Sequence, residues 1–312
     1  MSVCIFGFGA VGRETAALLS LRGETVRAAQ RKRPPSLPAA VEFAATDVLD
    51  GGSVLRAAAG SHAVICCIGF PYDSRLWEKA WPKAMENLLA ACAKTQARLI
   101  FADNLYMYGP QDAPLTEDMP LTSYGRKPKV RAEITRAWQR AHSEGRVQAV
   151  AVRASDFYGP DVDNSVLSGF GVKRLLQGKA ALVPYSPDHP HDFTYVPDFA
   201  RALVTLLDAP AEAYGQAWHV PNAPTQTLRA LLVKAAEMAG VAPRISVMPL
   251  AMLHLAGLFD RQVYELIEMR FQTDRPYRVD ASKFTQRFWS DATSFQAGLD
   301  ATISFYAGKG TR

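Results

Sequence analysis

The stretch that decides the fold is Met1 to Arg13, MSVCIFGFGAVGR. Val3 to Phe6 is a short apolar, partly β-branched run, the pattern of a buried strand. Gly7, Gly9 and Gly12 follow directly, and a helical pattern then places Val11, Thr15, Leu18 and Leu19 on one side. Strand, G-x-G-x-x-G and helix in this order form the fingerprint of a dinucleotide site. Gly7 allows the tight turn, Gly9 lets a pyrophosphate approach the backbone, and Gly12 lets the helix pack closely on the strand. The helix N-terminus, with Ala10 and Val11 in its first turn, offers free N–H groups and partial positive charge to phosphates.

Gly23 to Ala29 reads as the second strand. A site for NAD(H) usually ends this strand in Asp or Glu, which holds the ribose 2′-hydroxyl. Here the end is Gln30-Arg31-Lys32-Arg33. Three cations without a carboxylate suit a 2′-phosphate, so NADP(H) is expected over NAD(H), with Arg31 and Lys32 as ligands. The same run also fits a solvated basic loop before Pro34 and Pro35.

The 312 residues suffice for one large or two modest domains, and 48% are hydrophobic, enough for a substantial core. Net charge is +5, and outside Arg31 to Arg33 there is no basic tract, so nucleic acid is not an expected partner. The cysteines at 4, 66, 67 and 92 have no metal-ligand spacing and read as reduced core residues; no metal is expected. A strand beginning at Val3 leaves no room for a signal peptide, and no apolar run approaches membrane-spanning length. The expectation is a cytoplasmic protein with a small-molecule substrate and no membrane partner; a homodimer is compatible with it.

Apolar runs and helical patterns alternate through the first half. Strands are expected at Val41 to Phe43, Ala63 to Ile68, Arg98 to Ala102 and Val147 to Val152. Helices are expected at Ser53 to Ala59, at Ser74 to Lys94 with a break or kink at Pro82, and at Lys129 to His142 after Pro128. The second half reads as helices at 170–177, 197–207, 228–239 and 245–272, with a strand at Ala217 to Val220. The fold class is α/β, a Rossmann-type doubly wound parallel sheet followed by a smaller, mainly helical substrate domain.

Several stretches resemble the extended short-chain dehydrogenase/reductases, the nucleotide-sugar epimerase/dehydratase group. They are the glycine turn, Phe101 to Pro110 (FADNLYMYGP), Pro114 to Asp118, Arg153 to Pro160 (RASDFYGP), His191 to Asp198 (HDFTYVPD) and Ala217 to Asn222. The resemblance implies a split chain: residues 1–160 plus 192–222 as the NADP-binding domain, 161–191 plus 223–312 as the substrate domain. It also implies hydride transfer on a carbonyl or hydroxyl substrate, a nucleotide sugar among them.

That family uses a Ser or Thr, a Tyr acid/base, and a Lys four residues after the Tyr. Counted back from Tyr108-Gly109, the Ser/Thr position is Asn104, which donates a hydrogen bond but cannot relay a proton. Tyr124 is followed at four residues by Pro128 and at five by Lys129, about 140° further around a helix. Alternatives therefore stay open: a Tyr124/Lys129 pair, Lys129 as a ribose ligand alone, or Tyr106 as the acid. Asp47 and Val48 fall where an adenine loop is expected, and Cys67, Ile68 and Gly69 where the nicotinamide ribose is. Phe70, Tyr72, Asn104, Phe157, Tyr158, Asn164 and His191 are candidates for the substrate pocket. The imperfect Tyr/Lys spacing leaves a rival reading, a non-catalytic NADP(H)-binding redox sensor.

Overall fold

The computed structural model describes residues 2–248, 250–257, 259 and 261–309. The chain runs β1 (Ser2–Phe6), α1 (Ala10–Leu21), β2 (Thr25–Gln30), β3 (Val41–Ala45), α2 (Gly51–Ala58), β4 (Ala63–Cys66), α3 (Ser74–Thr95), β5 (Arg98–Asp103), α4 (Lys127–Ser143) and β6 (Ala149–Arg153). Then come β7 (Asp156–Tyr158), α5 (Lys173–Leu176), β8 (Ala181–Pro184), β9 (Pro190–His191), β10 (Phe193–Tyr195), α6 (Val196–Asp208) and β11 (Ala217–His219). The chain ends with β12 (Gln226–Thr227), α7 (Leu228–Met238), β13 (Ile245–Met248), α8 (Leu250–Gly257), α9 (Arg261–Glu268), α10 (Ser282–Arg287) and α11 (Phe295–Lys309).

One sheet has the order β11-β6-β5-β4-β1-β2-β3. Its pairings from β6 through β3 are parallel. A strand buried on both faces reads as a continuous apolar run, which is why SVCIF and AVIC form the centre. The order turns around β1, with β4 on one side and β2 on the other, so the carboxyl ends of β1 and β4 flank the switch point where such sheets bind ligands. β11 lies beside β6, in the same sheet as β1.

The chain divides into two compact units. The first comprises Met1–Tyr108, Pro120–Ala154 and Phe199–Trp218; the second Gly109–Met119, Ser155–Asp198 and His219–Arg312. The chain passes between the units after residues 108, 119, 154, 198 and 218; the family resemblance implies passages after 160, 191 and 222. The first unit is α/β. Its core packs Cys4, Phe6, Val64, Cys66 and Phe101 against Trp77, Trp81 and Leu88 of α3 and Val130, Ile134 and Trp138 of α4. The core of the second unit gathers Tyr158, Phe193, Leu228, Leu231, Leu232, Phe295 and Leu299.

Three local expectations are refined. α3 is one helix through Pro82 rather than two pieces, with Trp77, Trp81 and Met85 packed on both sides of the missing hydrogen bond. The stretch 245–272 is not helical throughout: Ile245–Met248 is a strand paired with β8. Of that stretch, Pro249, Leu258 and Asp260 lie outside the described residues. The expected helix at 170–177 is present in two forms, a π-helical stretch Ser168–Val172 leading into the single turn of α5. Among the described residues no helix is long and apolar enough to cross a membrane.

Candidate active site

The three glycines of the first turn differ in what surrounds them. Gly7 has φ +90°, and a Cβ there would sit 2.6 Å from the Cys67 carbonyl oxygen. A Cβ on Gly12 would overlap the carbonyl oxygen of Gly7. Both glycines are demanded by the protein's own packing. Gly9 is not: its φ is −77° and nothing lies within 4 Å of where its Cβ would be. Gly9 is the N-cap of α1, and no side chain caps the helix. The first-turn N–H groups of Ala10, Val11 and Gly12 are therefore available beside open space. This cradle fits a pyrophosphate, held by backbone N–H groups and the positive end of α1.

At the end of β2, Gln30 turns back toward that cradle. Its Oε1 accepts the Phe8 N–H at 3.1 Å, and its Nε2 donates to the Lys32 carbonyl at 2.7 Å. Arg31, Lys32 and Arg33 are exposed, and the Arg33 guanidinium lies 5.7 Å from the Phe43 ring centre. Across the turn, Asp47 is exposed and its Oδ1 accepts the Leu49 N–H at 3.0 Å. Val48 packs on the core, and its carbonyl accepts from Asn87 Nδ2 at 2.9 Å. Cys67 and Ile68 are half-buried and Gly69 exposed at the end of β4.

The carboxyl end of β5 carries a buried ionic network. Asp103 Oδ1 accepts from Arg131 Nη2 at 2.5 Å and from the Asn104 N–H at 2.9 Å. Its Oδ2 faces Arg153 Nε at 3.4 Å. Arg153 also donates to Tyr108 Oη, and to Thr135 Oγ1 at 3.2 Å. The Arg131 guanidinium stacks 4.3 Å from the Trp81 ring centre. Lys127 is fully buried, with Nζ 4.6 Å from the Tyr72 ring centre. Among the described residues of this unit, the buried charged side chains are thus three cations, Lys127, Arg131 and Arg153, and one carboxylate, Asp103.

Asn104 sits at the edge of this network. Its Oδ1 accepts from the Tyr106 N–H at 3.1 Å and from Arg131 Nε at 3.3 Å. Tyr106 is half-buried and stacks on Trp77, ring centres 6.3 Å apart. Phe70 meets Trp81 edge-on at 5.0 Å, and Tyr72 meets Trp77 at 5.7 Å.

The helix α4 begins at Lys127, so Tyr124 precedes it, and Tyr124 is 38% exposed. Lys129 is also exposed. The buried face of the first turns is formed instead by Lys127 and Arg131, four residues and about one turn apart. Sequence reading missed Lys127, Arg131, Asp103 and Arg153. The Lys127-x-x-x-Arg131 spacing starting beside Pro128 was the available signal for the first two.

The remaining candidates belong to the second unit. Tyr158 is buried between Tyr195 and Phe295, and burial pushes its phenol well above the ordinary range. Phe157 is half-buried and Asn164 exposed. His191 is buried, its Nε2 3.1 Å from Asp156 Oδ2, its ring 4.4 Å from that of Phe193. Among the described residues no group of three His, Cys, Asp or Glu is placed to hold a metal ion.

A parallel sheet, a glycine cradle at its switch point and a polar cluster at the next strand end define a dinucleotide-binding α/β protein of the Rossmann type. The chain belongs to the NAD dependent epimerase/dehydratase family, whose model matches residues 3–220. The chain is 25% identical over 225 residues to a dTDP-glucose 4,6-dehydratase of Neisseria gonorrhoeae, covering 68% of this chain and 60% of that protein. It thus spans about three-fifths of that curated relative's length. Its fold is similar to those of two solved enzymes. One is the dTDP-glucose 4,6-dehydratase of Streptomyces venezuelae with NAD and TYD bound (TM-score 0.81, 17% identity, 100% of this chain and 98% of that one). The other is the UDP-glucose 4-epimerase of Thermus thermophilus in complex with NAD (TM-score 0.80, 20% identity, 99% of each chain).

Proposed function

We propose that this protein is an NADP(H)-dependent enzyme that moves hydride to or from a carbonyl or hydroxyl compound, with nucleotide sugars as the leading substrate class. The observation that carries the proposal is the first turn: open space at Gly9 beside an uncapped helix N-terminus, next to a strand end with three exposed cations and no carboxylate. Nucleotide sugars are supported by the activities that the relatives' names give.

In this reading the first turn of α1 holds the pyrophosphate, and Arg31 and Lys32 hold the 2′-phosphate. Asp47 and Val48 border the adenine; Cys67, Ile68 and Gly69 border the second ribose. A nicotinamide bound there supplies or accepts hydride at C4. Reduction of a carbonyl leaves an alkoxide that takes up one proton. Tyr106, on the same turn as Asn104, donates it, whereas Tyr124 lies exposed ahead of α4.

The test is NADPH oxidation with a panel of ketones, aldehydes and nucleotide-diphosphate ketosugars. Tyr106→Phe should lower turnover by roughly 10²–10⁴-fold, the usual effect of losing a general acid, and Tyr124→Phe should not. One observation favours the rival reading of a redox sensor: Tyr124 and Lys129 are both exposed, and α4 buries Lys127 and Arg131 in their stead. Tight NADPH binding with no turnover on any carbonyl would decide for the sensor.

A further inference from the structure

The strand β13 has one open edge. The Ala181 N–H donates to the Arg244 carbonyl at 2.9 Å, and the Tyr185 N–H to the Met248 carbonyl at 3.2 Å. With Ile245 opposite Ala181 in a parallel pair, the even-numbered residues of β13 bond to β8, and Ile245 and Val247 turn their N–H and C=O groups the other way. Among the described residues β8 is the only strand paired with β13, and Ser246 and Val247 are exposed. An open edge of this kind is a template for another strand. The chain that follows carries apolar side chains into solvent. On α8, Met252 and Leu255 are three residues apart and share a face, 54% and 62% exposed. Phe259 is 88% exposed, and Tyr264 on α9 is 61% exposed. A Cβ on Gly257 would sit 3.1 Å from the Tyr264 Cα, so Tyr264 lies against the end of α8.

We propose that the open edge of β13 and the apolar face of α8 and α9 form a contact between two copies of this chain, with β13 antiparallel to the same strand of the partner about a two-fold axis. Such a contact asks nothing of the cofactor chemistry. The outward groups of Ile245 then bond those of the partner's Val247, and the reverse, while Ser246 faces the partner's Ser246. Arg244 lies opposite the partner's Met248, so the two arginines stand at opposite ends and no like charges meet. A two-fold contact must be self-complementary, and an uncharged apolar face satisfies this without further design. The four apolar side chains, with Val247, offer on the order of 600 Å² per copy, against about 800 Å² per partner in a standard stable interface; the paired strand edge supplies the rest. An anionic membrane is a poorer occupant. Glu268 is on the same hairpin, and Arg270 beyond it is ion-paired with Asp274 at 3.4 Å, so these residues do not make a basic rim.

The test is sedimentation velocity of the full-length protein from about 1 to 100 µM, joined to oxidative cross-linking. The unmutated chain should run as a dimer at the upper end of that range. Val247→Pro removes an N–H that β8 does not use, so the variant should keep its urea midpoint and dimerise at least about tenfold more weakly. Phe259→Glu should weaken the dimer by at least about tenfold as well, whereas Leu21→Glu, at an exposed leucine of α1, should leave it unchanged. The pairing sets the Ser246 Cα roughly 4.5 Å from that of the partner's Ser246, within reach of a disulfide. Ser246→Cys should therefore cross-link two chains on mild oxidation, and Arg244→Cys, on the order of 14 Å from its copy, should not. These two cysteine variants decide the question even if Val247→Pro fails to fold. A chain that stays monomeric at about 100 µM overturns the proposal. Binding of that monomer to vesicles of phosphatidylcholine and phosphatidylserine would give the face to a lipid surface instead. A dimer that Phe259→Glu does not weaken, or that Ser246→Cys does not cross-link, is held by another face and overturns the proposal too.

Discussion

Gln30 Oε1 accepts the Phe8 N–H at 3.1 Å, which ties the end of β2 to the glycine turn at its other wall. The neutral amide thereby occupies the place from which an acidic residue would face the ribose, and its Nε2 holds the Lys32 carbonyl. The cation run that follows is anchored at its root.

Arg31→Ala should weaken NADPH binding by about 10- to 150-fold, the range of one hydrogen bond to a charged group, and leave NADH nearly unchanged. Gln30→Asp puts a carboxylate beside the 2′-phosphate position and should shift preference toward NADH. Calorimetric titration of both cofactors reads each variant. An Arg31→Ala protein that loses both cofactors equally would count against a role at the 2′-phosphate.

Gly9→Ala and Gly12→Ala should separate binding from folding. A methyl at Gly9 meets no protein atom within 4 Å, so the variant should unfold at the same denaturant concentration yet bind NADPH at least about tenfold more weakly. A methyl at Gly12 overlaps the Gly7 carbonyl and should destabilise the fold by about 1–3 kcal/mol. Urea unfolding and cofactor titration, run on both, give the contrast.

Asp103→Asn leaves Arg131 and Arg153 buried without their carboxylate. Removing one partner of a buried ion pair typically costs about 3–5 kcal/mol, and the loss should show as a lower urea midpoint. A midpoint unchanged from the unmutated chain would mean that the two guanidinium groups find other partners.

The sheet is legible in the sequence because its strands are continuous apolar runs and the glycine turn must follow the first of them. The candidate site is legible only where it is local. Asn104 can be counted from Tyr108-Gly109, and the cation run follows β2 directly. Asp103 and Arg153 are 50 residues apart and meet only because β5 and β6 are neighbours in the sheet, which spacing cannot show. The face of α4 is misread when helical phase is taken from Tyr124, because the helix begins at Lys127 and a three-residue error turns it by most of a revolution. β13 reads as helix because Met248 to Leu258 is rich in Met and Leu, and the partner that makes Ile245–Met248 a strand, β8, pairs Ala181 with Ile245 from far earlier in the chain.

Asp192 gives a stability test that depends on pH. Burial raises its carboxyl above the ordinary range, although the Val279 N–H donates to Oδ2 at 2.7 Å. The folded chain then holds this proton more tightly than the unfolded chain. The unfavourable contribution is absent well below about pH 4, where the group is protonated in both states; it grows as pH rises from the unfolded value to the folded value and levels off above that. Asp192→Asn removes it. Its stability relative to the unmutated chain should therefore increase from about pH 4 upward and level off, measured by urea unfolding across pH. A difference that shrinks with rising pH would contradict the assignment.

The most direct test of the cofactor site is calorimetric titration of the unmutated protein with NADPH and NADH at two salt concentrations. The cradle at Gly9 and the cations after Gln30 predict NADPH binding at least about tenfold tighter, with a steeper loss on added salt, because only NADPH carries the extra phosphate charge. Equal affinities with equal salt dependence would contradict it.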